Sequence, residues 1–229
     1  MEKVPDDYYR YERKFLISYT DRKSVESMIM MHPAFFREIF HERYVNNIYF
    51  DNLAFDNFFE NIDGNTDRAK YRIRWYGELG VRIKNPKLEI KVKKNLIGYK
   101  KSYELFSFDM SSQIKIVSIG DVIERSITDQ KIKLILKDQI PVLLNRYRRK
   151  YYATKDNKFR ITVDDDQSFY KFSSLSNSFL ARQDDHEHII MELKYSKEND
   201  YQASFITNHF PFRLTKSSKY TNGIRLLYS

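Results

Sequence analysis

Several stretches of this 229-residue chain alternate between charged and apolar side chains at every second position. Arg10-x-Glu12-x-Lys14 is interleaved with Tyr9, Tyr11, Phe15 and Ile17. Lys70-x-Arg72-x-Arg74 is interleaved with Tyr71, Ile73 and Trp75, and Lys87-x-Glu89-x-Lys91-x-Lys93 with Leu88, Ile90 and Val92. A period of two is that of a β-strand, so each stretch predicts one charged face and one greasy face. The same parity sets Arg149 with Tyr147 and Tyr151, Arg160 with Thr162 and Asp164, and Glu192 with Lys194. Cations two residues apart on a strand lie roughly 6.6 Å from each other and repel by about 2.5 kcal/mol at an effective dielectric near 20. Strands of this kind lining one cavity would need a polyanion to relieve the crowding.

The remaining pattern predicts the connecting elements. A first strand over about 8–18 ends at Thr20-Asp21, an N-cap for a helix with Val25, Met28 and Ile29 inward that stops before Pro33. A second strand covers 44–50. Asp51-Asn52 opens a helix whose Phe55, Phe58, Phe59 and Ile62 form a buried stripe, closed at Asp63-Gly64. The basic strands at 69–76 and 86–94 are joined through Gly77 to Gly80, and Gly98 turns the chain into a strand over about 99–109. Residues 120–138 read as one or two helices, a lid or appendage. Strands follow at 142–153, 158–164 and 188–195, and a short helix from Ser217-Ser218 carries Ile224, Leu226 and Leu227. About eight strands and about four helices, with no repeat and no linker, predict a single α+β domain over 1–229 with one closed antiparallel sheet.

Composition narrows the chemistry. A net charge of +9 and a pI near 9.4 call for an anionic partner without saying which. Zero cysteines exclude a disulfide scaffold, a thiolate metal site and a cysteine nucleophile, and suit a reducing compartment. No apolar run reaches the length of a membrane span and the acidic start is no signal peptide, so a cytoplasmic protein is expected. The five histidines sit in polar or helix-ending contexts and none is expected to be catalytic.

Six motifs, in order, resemble the VTC domain: Lys70-Tyr-Arg-Ile-Arg-Trp-Tyr-Gly77, Glu89-Ile-Lys91, Tyr147-Arg-Arg149, Phe159-Arg-Ile-Thr-Val-Asp164, Glu192-Leu-Lys194 and Lys216-Ser-Ser-Lys219-Tyr-Thr-Asn-Gly223. The helix after Tyr49-Phe-Asp51 matches too. This is the catalytic domain of the vacuolar transporter chaperone polyphosphate polymerase, within the CYTH class of triphosphate tunnel metalloenzymes. The resemblance covers about Tyr9 to Leu227. It implies an antiparallel eight-stranded β-tunnel with basic residues inside and helices packed outside. No phosphate-sensing or transmembrane segment accompanies the domain, so coupling of synthesis to membrane translocation is not expected.

Carried over residue by residue, the resemblance implies that Arg10, Lys14, Arg72, Arg74, Lys91, Arg149, Arg160 and Lys219 grip phosphates. Of these, Arg72, Arg74, Lys91, Arg149, Arg160 and Lys219 would act on the phosphoryl group in transfer. Lys194 and Lys216 are additional wall residues, and Lys101 is chosen over Lys100 for the strand after Gly98. Glu192 falls on the metal-binding glutamate, with Mn²⁺ or Mg²⁺ as the ion, and Glu12 and Glu89 are further candidate ligands because each recurs as Glu-x-Lys. Arg10-x-Glu12-x-Lys14 stands where CYTH hydrolases have Glu-x-Glu-x-Lys, which weakens a two-metal hydrolytic site. The implied activity is transfer of the ATP γ-phosphate to a polyphosphate end. The alternatives are a tripolyphosphatase or nucleoside triphosphatase, and a non-catalytic module binding polyphosphate or nucleic acid. The absence of Gly-rich basic arms and of an exposed aromatic sheet motif argues against nucleic acid. Lys216 and Lys219 flank a helix N-terminus, where free N–H groups attract anions, so this helix is expected to close one tunnel mouth with Lys219 on the terminal phosphates.

Overall fold

The structure is a computed structural model and describes residues 10–18, 20–80, 82–94, 97–110, 116–172 and 181–228. Tyr9 lies outside these residues, and Arg10 is placed by its backbone alone. In chain order the elements are β1 (Arg10–Ser18), α1 (Arg22–Met30), β2 (Arg37–Asp51), α2 (Asp56–Ile62), β3 (Arg68–Tyr76), β4 (Arg82–Ile83), β5 (Lys87–Lys94) and β6 (Ile97–Glu104). They continue with β7 (Phe108–Asp109), α3 (Ile116–Ser126), α4 (Gln130–Leu136), β8 (Ile140–Ala153), β9 (Phe159–Lys171), β10 (Arg182–Asp185), β11 (His188–Ser196), α5 (Asp200–Asn208) and α6 (Lys219–Tyr228).

Eight strands form one hydrogen-bonded path, β1-β11-β9-β8-β2-β3-β5-β6, with β10 on the side of β9 and β4 paired with β7 in a separate ribbon. Every ladder whose register is resolved is antiparallel. The expected last ladder, between β1 and β6, is not present among the described residues, so the sheet is not closed by backbone bonds. The outer edge of β1 is instead covered by the segment before α6, through the Phe15–Leu214 bridge and the Thr215 amide donating to the Lys14 carbonyl at 2.8 Å.

The chain gathers into two compact units. Unit 1 comprises the residues up to Arg43 with Tyr147–Gln167 and Asp185–Ser217; unit 2 comprises Tyr44–Arg146, Ser168–Asp184 and the residues from Ser218. Each has its own apolar core on the greasy faces of its strands. In unit 1, Phe15, Ile17, Ile161, Val163, Met191 and Leu193 are covered by Val25 and Ile29 of α1 and by Ala203 and Ile206 of α5. In unit 2, Ile73, Trp75, Leu88 and Ile90 are covered by Ile119, Ile123, Ile127, Ile132 and Leu136. The helices around 120–138 are therefore half of a core and not a lid.

Local chemistry explains the boundaries. Asp21 caps α1, accepting the Ser24 amide at 3.0 Å, as its position ahead of an apolar spacing predicts. The helix expected from Asp51-Asn52 starts later, because Phe55 takes a left-handed conformation (φ 58°) ahead of α2. Asp51 still caps it: wholly buried, it accepts the Asn57 and Phe58 amides at 3.0 Å each and the Tyr220 hydroxyl of α6. Two turns cannot bury the whole stripe, so Phe59 and Ile62 are exposed while Phe55 and Phe58 pack near α6.

Helix α6 lies unusually close to its support. A Cβ on Gly223 would stand 2.6 Å from Phe169 Cδ1 and 2.7 Å from Leu143 Cδ2. Gly223→Ala is expected to destabilise the protein by about 1–3 kcal/mol, the cost of overpacking, despite the better helix propensity of alanine. Urea unfolding checks this, and an unchanged or raised midpoint would contradict it.

His32, buried at the end of α1, accepts the Ala34 amide on Nδ1 and so donates from Nε2 to the Ile206 carbonyl at 3.0 Å. Burial holds the imidazole below its ordinary 6.5; the Ile206 carbonyl opposes this and His209 adds to it. A histidine depressed in the folded state gives its stability above its unfolded value and loses it as pH falls. The excess stability of wild type over His32→Gln should therefore shrink in melts taken from about pH 7.5 down to about pH 5. A constant difference across that range would remove His32 from the acid response.

Candidate functional site

In unit 1 the charged face is built from four strands. The β1–β11 register sets Glu12 opposite Lys194 and Lys14 opposite Glu192; the β11–β9 register sets Glu192 opposite Thr162 and Lys194 opposite Arg160. Glu192, 5 % exposed, is the hub. Its carboxylate lies 3.0 Å from Lys14 Nζ, 2.7 Å from Lys194 Nζ and 3.6 Å from Arg149 Nη2. Lys14 also reaches Glu12 at 3.4 Å and donates to the Ser217 carbonyl at 3.1 Å. Burial alone would lower the Lys14 ammonium, but Glu192 and then Glu12 outweigh it, and the net shift is upward. Lys14 is a fixed cation.

Arg149 is held by Asp164. Its Nε and Nη2 each donate to an Asp164 oxygen at 2.5 Å, in a pair buried on both sides. Burial opposes the charge, yet Asp164 dominates and holds the guanidinium well above its ordinary value. Asp164 was visible in the alternation as sharing a face with Arg160, but its run with Asp165 and Asp166 reads as a turn. The strand continues instead to Lys171. Arg160 and Lys216 are exposed, the latter on the segment beside β1.

In unit 2 the β3–β5–β6 registers stack Lys70, Lys91 and Lys100 at one level and Arg72, Glu89 and Ser102 at the next. Glu89 is buried, and its Oε2 takes Arg72 at 2.6 Å and Arg74 at 3.6 Å while its Oε1 takes Lys100 at 2.6 Å. Burial would raise this carboxyl; Arg72, then Arg74 and Lys100, overcome it and hold it well below the usual carboxylate range. Tyr49 and Asn47 of β2 support the arginines, accepting from Arg72 Nη1 at 3.3 Å and Arg74 Nε at 2.9 Å. Lys101 is corrected here: it pairs with Ile90 on the opposite face, and Lys100 takes the position expected of it. Lys91 is exposed on the charged face. Lys219 is buried at the start of α6, and Lys70 donates to the Ser218 hydroxyl at 2.9 Å, which itself accepts the Thr221 amide at 3.3 Å. Ser218 is thus the cap.

The carboxylates differ in what they can hold. Among the described residues no three Asp, Glu, His or Cys side chains gather as a metal site. Glu12 and Glu192 converge on the Lys14 ammonium. Two carboxylates completed by phosphate oxygens are a donor set that Mg²⁺-like ions take, so this pair fits such an ion. Glu89 binds Arg72 and Arg74 through one oxygen and Lys100 through the other. It is a counter-ion.

A family model described as the VTC domain matches residues 9–228. The chain belongs to the VTC family. No curated protein matches it in sequence. The fold of this VTC domain is shared by many solved structures, among them two cyclase-like proteins. A proposed adenylate cyclase from Vibrio parahaemolyticus aligns with a TM-score of 0.54 at 10 % identity, over 97 % of this chain and 99 % of that one. A proposed adenylyl cyclase from Hippeastrum, with a dominant triphosphatase activity, aligns with a TM-score of 0.53 at 11 % identity, over 94 % and 96 %. The fold is the α+β, antiparallel one of the triphosphate tunnel proteins. Among the described residues no helix is long and apolar enough to cross a membrane.

Proposed function

We propose that this VTC domain is a polyphosphate polymerase-like phosphotransferase, moving the γ-phosphoryl group of ATP onto the end of a polyphosphate chain. The observation that carries the reading is the charge imbalance of the unit 2 face. Lys70, Arg72, Arg74, Lys87, Lys91 and Lys100 share it with two carboxylates, the buried Glu89 and the exposed Glu104. A row of phosphates supplies the missing negative charge at the spacing of the row, and arginine takes phosphate oxygens two at a time.

The chemistry asks little else of the chain. Phosphoryl transfer is mostly positioning and charge stabilisation. The terminal oxygen of a polyphosphate is already anionic, so no side chain need remove a proton from it. Arg72 and Arg74, braced by Glu89, Tyr49 and Asn47, face the phosphate oxygens with little side-chain freedom left to lose. Lys14 stays charged, and Lys14 and Lys194 are both held on Glu192, in place for the oxygens of the donor. Arg149 contributes through the pair with Asp164, fixing the floor beside Glu192. Arg10, Arg160, Lys216 and Lys219 remain proposed phosphate ligands by family motif. A divalent ion, Mn²⁺ or Mg²⁺, would be held by Glu192 and Glu12 and would neutralise charge on the phosphates.

Hydrolysis is the second reading, favoured by the triphosphatase activity of the Hippeastrum protein. Against it, Arg10 stands where CYTH hydrolases have a glutamate, and Asp164 is committed to Arg149. Incubation of the purified protein with ATP and Mn²⁺, followed by gel separation, decides between them. Polyphosphate ladders are expected; free phosphate alone would make the protein a hydrolase, and no turnover would make it a binding module.

A further inference from the structure

The anion-binding face of unit 1 continues into a ladder of aromatic rings and guanidinium groups that the phosphate chemistry does not use. Starting from Glu192, Arg149 lies 3.6 Å away, and its guanidinium sits 5.1 Å from the Tyr147 ring and 5.9 Å from the Tyr151 ring. Tyr151 is two residues further along β8, on the same face. Arg43 of β2 covers the other side, its guanidinium 4.9 Å from the Tyr151 ring and its Nε donating to the Tyr151 hydroxyl at 3.2 Å. The same guanidinium lies 5.5 Å from the ring of Phe40, which meets Tyr151 edge-on at 5.7 Å. Phe40 ends the ladder and is 56 % exposed, on a stretch of β2 that also carries Arg37, Glu38, Glu42 and Arg43.

The geometry points to a nucleobase subsite on Phe40 and Arg43. The inference rests on the reading of the charged face as a phosphate site and extends it to the donor. A nucleoside triphosphate is charged at one end and planar and aromatic at the other. Its phosphates belong with Glu192, Lys14 and Arg149, and the ladder leads outward from them to an exposed ring and an adjacent guanidinium plane. Bases stack on aromatic faces and on arginine, and such stacking is tolerant of base identity because every base has a π-face. Arg43 is already fixed by Tyr151, so the platform needs little ordering when a base arrives. The expected specificity is broad: ATP and GTP should bind alike, and tripolyphosphate, which has no base, should ignore the platform.

Titration calorimetry with ATP, GTP and tripolyphosphate tests this on wild type, Phe40→Ala and Phe40→Trp. Phe40→Ala should weaken both nucleotides by roughly tenfold, the loss of one stacked base, with tripolyphosphate unchanged. Phe40→Trp should restore or strengthen nucleotide binding. Because Phe40 is exposed, neither variant threatens the core. Equal ATP affinity in wild type and Phe40→Ala overturns the subsite, as does a parallel loss of ATP and tripolyphosphate. Wild-type protein that fails to bind tripolyphosphate overturns the phosphate-site reading instead.

Discussion

Asp164→Asn is expected to destabilise the protein by about 3–5 kcal/mol, the cost of leaving one member of a buried ion pair uncompensated. Asp164 is wholly buried, and it takes two donors from a guanidinium that is itself buried. The nearest substitute anion, Glu192 at 3.6 Å, also serves Lys14 and Lys194 and cannot move to Arg149 without leaving them. Replacing both partners by apolar residues of similar volume, Arg149→Met with Asp164→Leu, should recover most of the loss, because the desolvation cost disappears along with the attraction. Urea unfolding of the single and double variants measures both effects. A single variant within about 1 kcal/mol of wild type would mean that the pair does not anchor the face.

Glu192→Gln should lower turnover by at least about a hundredfold, the scale set by removing one electrostatic group from a reacting centre. Tripolyphosphate affinity should change far less, because the cations remain. The substitution keeps shape and hydrogen-bonding capacity but deprives Lys14 of the stronger of the two carboxylates that hold its charge against burial. It also removes half of the donor set fit for a hard divalent ion. Activity should be measured across a Mn²⁺ titration, with melts in parallel to separate chemistry from folding. Wild-type turnover at every Mn²⁺ concentration would shift the ion to Glu12 or away from this face altogether.

Much of this arrangement was legible in the alternation alone, for a physical reason. Which side chains share a face of one strand depends only on the local period of two, so Arg72 with Arg74 and Arg160 with Thr162 could be read directly. Which residues meet across strands depends on register, which is not local. That is why Lys101 was preferred to Lys100: both are lysines in one run, and only the pairing of Lys91 with Lys100 separates them. Asp164 illustrates the same limit, since its identity as the counter-ion of Arg149 needs β8 beside β9. Helix α5 escaped because its buried positions, Ala203, Ile206 and Thr207, are few and mixed in polarity, while Tyr201 and Phe205 point outward. The three cations that reach Glu89 were hidden by register too, since Glu-x-Lys spacing shows only one neighbour.

Each compact unit is assembled from three separated stretches of chain, and this bears on how the protein is made. Strand β1 pairs with β11, Arg10 against Ser196, so β1 waits for a strand translated long after it. At about 5–20 residues per second on the ribosome, that wait is on the order of ten seconds or more. Until then Phe15 and Ile17 lack Met191 and Ile189 opposite them, and the strand edge is open to wrong partners. Its Glu12, Lys14 and, on the other face, Arg13 are gatekeepers of the sort that discourage aggregation. The charges that end up in ion pairs with β11 keep a nascent, partnerless strand soluble while the chain up to β11 is translated.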